Sequence, residues 1–105
     1  MRTLKFDINK LSISKDPNCD FSGLVPGTEG YLEAEFDFSK EWNGCVKVAA
    51  FYDGVKEYPV ILEDGKSCVI PSEITERHAF GVRVLGKRDG YKIATDKLIV
   101  EQDGR

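Results

Sequence analysis

The sequence predicts an all-β protein, a β-sandwich of about seven to eight short antiparallel strands, and three observations predict it. Apolar and polar residues alternate in several runs: Leu32, Ala34, Phe36 and Phe38 fall on one strand face, and Glu33, Glu35 and Asp37 on the other. Asp-Gly turn signals punctuate these runs at Asp53-Gly54, Asp64-Gly65 and Asp89-Gly90. No stretch carries the period of a long helix, and short strands joined by tight turns are the pattern of a sandwich.

The elements follow in chain order. Leu4, Phe6, Ile8, Leu11 and Ile13 describe a strand, a break near Asn9-Lys10 and a second short strand. From Ser14 to Gly30 the chain carries Pro17, Gly23, Pro26, Gly27 and Gly30, so this is a long connection. A connection of that length is unusual in a compact domain and is a candidate functional loop, its middle pinned by Phe21, Leu24 and Val25. After the strand that opens at Leu32, Ser39 is placed to cap one helical turn that includes Trp42, before Asn43-Gly44 turns the chain. Cys45 to Tyr52 is apolar on both faces apart from Lys47, which fits the middle of a sheet or a face against a partner. Val55 to Leu62 pairs with it as a hairpin, and Pro59 marks an edge or a bulge because it cannot donate to a ladder. Glu63-Asp64-Gly65-Lys66 reads as a second hairpin turn, leading into Ser67 to Ile70, and Pro71 to Arg77 allows only a short helix. Ala79 to Leu85, Tyr91 to Thr95 and Lys97 to Val100 are the last strands, and 101–105 is expected to be a flexible tail.

With 105 residues, of which 41% are hydrophobic, the chain is long enough for one domain with its own core, taken as 1–105. Fifteen Lys and Arg against eighteen Asp and Glu are interspersed, which argues against the clustered basic face of a nucleic-acid binder. No run approaches the roughly 18 apolar residues of a membrane span, and the N-terminus has no apolar signal core. These features place the chain in a cytoplasm, without a membrane partner.

No residue pattern assembles a catalytic, metal or cofactor site. Cys19, Cys45 and Cys68 lack zinc-ligand spacing and read as buried thiols, with a Cys45 to Cys68 bridge as the alternative. His78 has no neighbouring nucleophile motif and reads as a surface residue. Asp16, Asn18 and Asp20 imitate alternate calcium ligands, but Pro17 and Cys19 interrupt them and no closing Glu follows. Glu33, Glu35 and Asp37 are what the solvent face of any strand produces, or a charge-complementary partner surface. Trp42 reads as a core anchor closing one end of the sandwich. The alternative is a sugar-stacking platform built with Tyr31, Tyr52, Tyr58 and Tyr91.

Taken in order, Tyr31-Leu32-x-Ala34, Phe36-x-Phe38-Ser39-x-Glu41-Trp42-x-Gly44, Lys47-x-Ala49-x-Phe51, Tyr58-x-Val60, Cys68-x-Ile70-Pro71 and Phe80-x-Val82-x-Val84-x-Gly86 form one set. This set, with Ile93-x-Thr95, resembles the immunoglobulin-like N-terminal domains of baseplate upper and minor tail proteins in phages and prophages of Gram-positive bacteria. The resemblance implies an immunoglobulin-like, non-catalytic assembly or attachment module of the virion. It would be present in symmetric copies and would contact other virion proteins, in the particle or in the host cytoplasm before lysis. In that family a longer chain usually follows, whereas this sequence stops at Arg105. A free-standing accessory binder, sequestering a host-defence protein or small molecule, is therefore the alternative, with a carbohydrate-binding module behind it. The candidate partner contacts are Phe21 and Leu24 in the long connection, Glu33, Glu35 and Asp37 on the charged strand face, and Lys47.

Overall fold

The computed structural model describes residues 1–102, and its two sheets pack as a sandwich. Strands β1 (Arg2–Asn9), β2 (Ser12–Lys15), β3 (Leu32–Phe38) and β6 (Ser67–Val69) form a four-stranded sheet in the order β2-β1-β3-β6. The second sheet contains β4 (Val46–Asp53), β5 (Lys56–Ile61), β7 (Ala79–Arg88), β8 (Tyr91–Ala94) and β9 (Leu98–Glu101). Its order is β5-β4-β7-β8, and β9 also pairs with β7. A 3₁₀ turn at Lys40–Trp42 and the one-turn helix α1 (Ser72–Thr75) are the helical elements among the described residues. Among the described residues no helix is long and apolar enough to cross a membrane.

One pairing departs from the expected antiparallel pattern. β1 and β3 run parallel, with Leu4 beside Ala34, Phe6 beside Phe36 and Ile8 beside Phe38. A parallel pair needs a crossover of a dozen residues or more, and the β1–β2 hairpin followed by the long connection supplies it. The unusual loop thus has a structural task. Phe21 packs edge-on against Phe6 with ring centroids 5.4 Å apart, and Leu24 is 2% exposed. The Arg2 guanidinium donates to the carbonyls of Asp20 (2.9 Å) and Ser22 (2.6 Å), while Val25, expected as a third pin, is exposed.

The turn at Glu63 to Lys66 is likewise not a hairpin, because β5 and β6 belong to different sheets. The Asp64 carboxylate accepts the backbone N–H groups of Lys66 (2.9 Å) and Ser67 (2.7 Å) and the Ser67 hydroxyl, closing a corner that carries the chain across the sandwich. These bonds, the Ser67 hydroxyl first, lower the Asp64 carboxyl from its ordinary 3.8 to about 2. A carboxyl depressed by folding stabilises fully above its unfolded value and loses that contribution as pH falls through the folded one. Urea titrations at about pH 5 and pH 2.5 are therefore expected to show an acid loss of stability that Asp64→Asn reduces. An identical loss in the variant would remove Asp64 from the account.

The inner faces meet in one core. Leu4, Phe6, Ala34 and Phe36 come from the first sheet, and Ala49, Phe51, Phe80, Val82, Val84 and Val100 from the second. Trp42 closes one end and is 0% exposed, with its Nε1–H donating to the Lys10 carbonyl at 2.9 Å. Lys10 carries a positive φ of 58°, and its N–H donates to Ser39 Oγ at 2.9 Å. Ser39 stands at the N-cap of the helical turn as expected, its carbonyl accepting the Trp42 N–H at 3.1 Å, but its hydroxyl accepts from the β1–β2 hairpin and makes no capping bond. Pro59 lies in the edge strand β5, as its missing N–H requires.

Between β8 and β9 the chain bulges. Leu85 pairs with Ala94 and Val82 with Leu98, so three residues, Thr95 to Lys97, stand opposite two. The Thr95 hydroxyl accepts the Val84 N–H at 3.0 Å. Asp96 reaches the other sheet, its N–H donating to Leu11 O and its carboxylate accepting the Ile13 N–H, each at 3.0 Å. Glu101 and Gln102, expected as the start of a flexible tail, are held in the fold: Glu101 closes β9 and Gln102 is buried. The Gln102 side-chain amide donates to the carbonyls of Thr75 (3.0 Å) and Arg77 (2.6 Å); the rest of the expected tail, 103–105, lies outside the described residues.

Candidate functional site

The two outer faces of the sandwich differ in chemistry. On the four-stranded sheet the parallel register sets Thr3 beside Glu33, Lys5 beside Glu35 and Asp7 beside Asp37. Alternation points all six away from the core, so Glu33, Glu35 and Asp37 occupy the face expected for them. The Thr3 hydroxyl donates to Glu33 Oε1 at 3.1 Å. Desolvation, followed by repulsion from Asp16 and Asp37, raises the Asp7 carboxyl above its ordinary range. Lys5 and Lys66 border a hollow of about 310 Å³ beside Asp16, Glu35 and Asp37, which leaves this face predominantly acidic.

The outer face of the five-stranded sheet is apolar in its middle. Register places Ile61, Val48, Leu85 and Ala94 in one row across four strands. Val46, Lys87 and Lys92 form the neighbouring row at one end. Pro59, Ala50 and Arg83 follow on the other side, then Glu57, Tyr52, Gly81 and Ile99, and finally Ala79 with Glu101. Val46 is 65% exposed, Ile61 57% and Ile99 53%, so this face carries several exposed apolar side chains. A shallow groove of about 410 Å³ runs over Val46, Val48 and Leu85, flanked by Lys87 and Lys92.

At the far end a polar cluster lies flat on the sheet. Arg83 Nε–H donates to the Tyr52 hydroxyl, which in turn donates to Glu57 Oε2 at 2.9 Å. The Lys97 ammonium sits 4.1 Å from the Tyr52 ring centroid. Burial, together with the Glu57 hydrogen bond, raises the Tyr52 hydroxyl above its ordinary value.

Three of the sequence-derived contact residues lie elsewhere. Leu24 is buried and presents no side chain to a partner, while Phe21 is half-buried against Phe6. Lys47 lies on the inner side of β4 at the rim, its ammonium 5.0 Å from the Phe38 ring centroid and 3.4 Å from the Cys45 carbonyl. It lays its stem against the core with the charge at the opening between the sheets, the behaviour of a long amphipathic side chain. The residues missed are Val48, Ile61 and Leu85. The signal was present in β4, whose apolar character on both strand faces exceeds what one core can use.

The other sequence candidates are dispersed. Asp16 Oδ1 accepts the Asn18 N–H at 2.9 Å and Asp20 Oδ1 the Ser22 N–H at 2.8 Å, so these carboxylates close local turns. Among the described residues no cluster of His, Cys, Asp or Glu is arranged to hold a metal ion. His78 is exposed, and its carbonyl accepts the Gln102 N–H at 2.6 Å. All three cysteines are unpaired, and burial, with Asp64 and Glu33 nearby, pushes the Cys68 thiol up to about 12. Trp42 is in the core with Tyr58 and Tyr91 packed against it, while Tyr31 is exposed and Tyr52 lies in the outer row with Glu57 and Gly81. No protein-family model, curated protein or solved structure matches the chain.

Proposed function

We propose that this chain is a non-catalytic assembly module of a phage tail or baseplate, an immunoglobulin-like sandwich that docks onto neighbouring virion subunits. The observation that carries the reading is the row Ile61, Val48, Leu85 and Ala94, an apolar stripe spanning the outer face of a sheet whose other side already supplies the core. A second apolar sheet face on a 105-residue chain is a docking surface or an aggregation hazard. Lys87 and Lys92 beside it keep the chain soluble while leaving the stripe accessible.

Strand order supports the immunoglobulin-like description. The sheet β5-β4-β7-β8 has the order C′-C-F-G of that sandwich, and the antiparallel β3–β6 pair corresponds to B and E. Two departures accompany it: β1 runs parallel to β3, and Trp42 lies just before the C-like strand rather than on it. The phage assignment itself rests on the ordered residue set from Tyr31-Leu32 to Ile93-x-Thr95.

Mass spectrometry of purified phage particles, from cells that carry the gene, is expected to detect the chain as a stoichiometric component. Its absence from mature particles would sink the virion reading and leave the accessory binder.

A further inference from the structure

We propose that two copies of this chain join edge to edge through β9, antiparallel about a twofold axis at Ile99, so that their five-stranded sheets run on into each other. This surface is the edge of the sheet and is separate from the apolar row on its outer face. A strand edge accepts another strand where its outward N–H and C=O groups are free.

The other edges of the sandwich each carry a guard. In β5 the Leu62 N–H donates to the Lys47 carbonyl at 2.9 Å, so alternation turns Ile61, Pro59 and Glu57 outward. The nitrogen at the centre of that outward row belongs to proline and has nothing to donate. On β6 the Ser67 N–H is taken by the Asp64 carboxylate, and Pro71 follows the strand. On β2, Asp96 takes both the Ile13 N–H and the Leu11 carbonyl. The last edge is β8 followed by β9, in line along one side of β7. β8 carries Lys92, an exposed edge lysine that discourages pairing. β9 has no such guard. The Gln102 N–H donates to the His78 carbonyl, which sets Leu98, Val100 and Gln102 toward β7 and turns the backbone groups of Ile99 and Glu101 outward. No described residue bonds to those groups.

The strand's own sequence names the occupant. Lys97-Leu98-Ile99-Val100-Glu101 reads basic, apolar three times, then acidic, so its antiparallel copy is its complement. With the pairing centred on Ile99, the two Ile99 residues exchange both backbone bonds. Leu98 then lies beside Val100 of the second copy on the inner side, and Glu101 beside its Lys97 on the outer side. Centring on Val100 would set each Glu101 beside Ile99, and centring on Glu101 would set the two carboxylates together. In the single chain Lys97 lies across Gly81 with its ammonium 4.1 Å from the Tyr52 ring. On pairing it swings from the ring to the Glu101 carboxylate, exchanging one exposed cation contact for another. An interface this short is weak, with dissociation expected between about 10 and 1,000 µM.

Sedimentation velocity and native mass spectrometry of the whole chain, from about 10 µM to 1 mM, test the pairing, and a concentration-dependent dimer is expected. Hydrogen exchange at the Ile99 and Glu101 amides, free in the single chain, slows as the concentration rises. Ile99→Pro copies the device of Pro59: it deletes an N–H that bonds to nothing within one chain, so the fold survives, as a thermal melt verifies, and the dimer is lost. Lys97→Glu and Glu101→Lys each weaken the dimer about tenfold, because every reversal counts twice across the twofold. The double variant Lys97→Glu/Glu101→Lys returns to near the original affinity. A chain still monomeric at 1 mM overturns the proposal, as does a dimer that persists in folded Ile99→Pro or leaves the Ile99 amide exchanging fast. If Ile99→Pro does not fold, the charge reversals at two exposed positions decide, and a dimer indifferent to them overturns the pairing.

Discussion

Trp42→Ala is expected to cost about 4 kcal/mol and to leave the protein barely folded. The side chain is 0% exposed, stacks obliquely on Phe38 with centroids 5.3 Å apart, and ties the Lys10 carbonyl of the β1–β2 hairpin to the end of the sandwich. Truncating a buried Trp removes its transfer free energy and leaves a cavity, typically about 3–5 kcal/mol, against a total stability of about 5–15 kcal/mol for a domain. The loss extends beyond packing, since Lys10 holds a positive φ that its two flanking hydrogen bonds sustain. Urea denaturation followed by far-ultraviolet circular dichroism measures it. Trp42→Phe, which keeps most of the apolar volume and loses the indole N–H, is expected to cost less than half as much. A penalty for Trp42→Ala below about 1 kcal/mol would contradict its role as the plug of that end.

Gly86→Ala is expected to cost about 2–3 kcal/mol, the price of overpacking a filled site. A Cβ there would lie 2.8 Å from Trp42 Cε3, 2.9 Å from Trp42 Cζ3 and 3.1 Å from Ile93 Cγ2. Those atoms belong to a ring and a β-branched side chain locked in the core, so they cannot retreat. The backbone is not in the left-handed region, and the cost is steric alone. Gly81 in the same strand is the control. A Cβ there meets Lys97 Cδ at 2.8 Å, the flexible part of an exposed side chain that can swing away. Gly81→Ala is therefore expected to be near neutral, while Gly86→Ala lowers Tm by roughly 10–20 °C. Combining Gly86→Ala with Trp42→Phe removes the ring edge that clashes, so the pair should cost less than the sum of the singles. Strict additivity would place the strain elsewhere.

Much of the fold was legible because its signals are local. The alternation of β3, the Asp53-Gly54 hairpin with Gly54 at φ 61°, Pro59 on an edge and Trp42 in the core all follow from what neighbouring residues impose on one another. The parallel β1–β3 ladder was not legible, because a strand's direction relative to a distant partner leaves no mark on its own alternation. The Asp64 corner misled for a related reason: Asp-Gly fixes a reversal, and whether the chain then pairs with its predecessor or crosses to the other sheet depends on which inner face still needs covering. Thr95 to Lys97 gave no sign of a bulge, since the extra residue shows only against the register of β7.

The candidate site divides in the same way. Glu33, Glu35 and Asp37 were placed correctly on a solvent face, because a strand that buries its even positions must expose its odd ones. Leu24 and Lys47 did not reach a solvent face, because an apolar residue in a loop reads alike whether it pins the loop or greets a partner, and a lysine stem can lie along a core rim. The apolar outer row was hidden in four separate segments, each carrying one of its residues.

Composition, alternation and turn residues by themselves determined that this chain forms short strands and which side of β3 is charged. Only the tertiary structure decided which strands are neighbours, and therefore that one outer face is predominantly acidic and the other carries an apolar row. The physical reason is that a strand's own pattern specifies its two faces, while a surface is made by lateral hydrogen-bonded register between strands far apart in the chain.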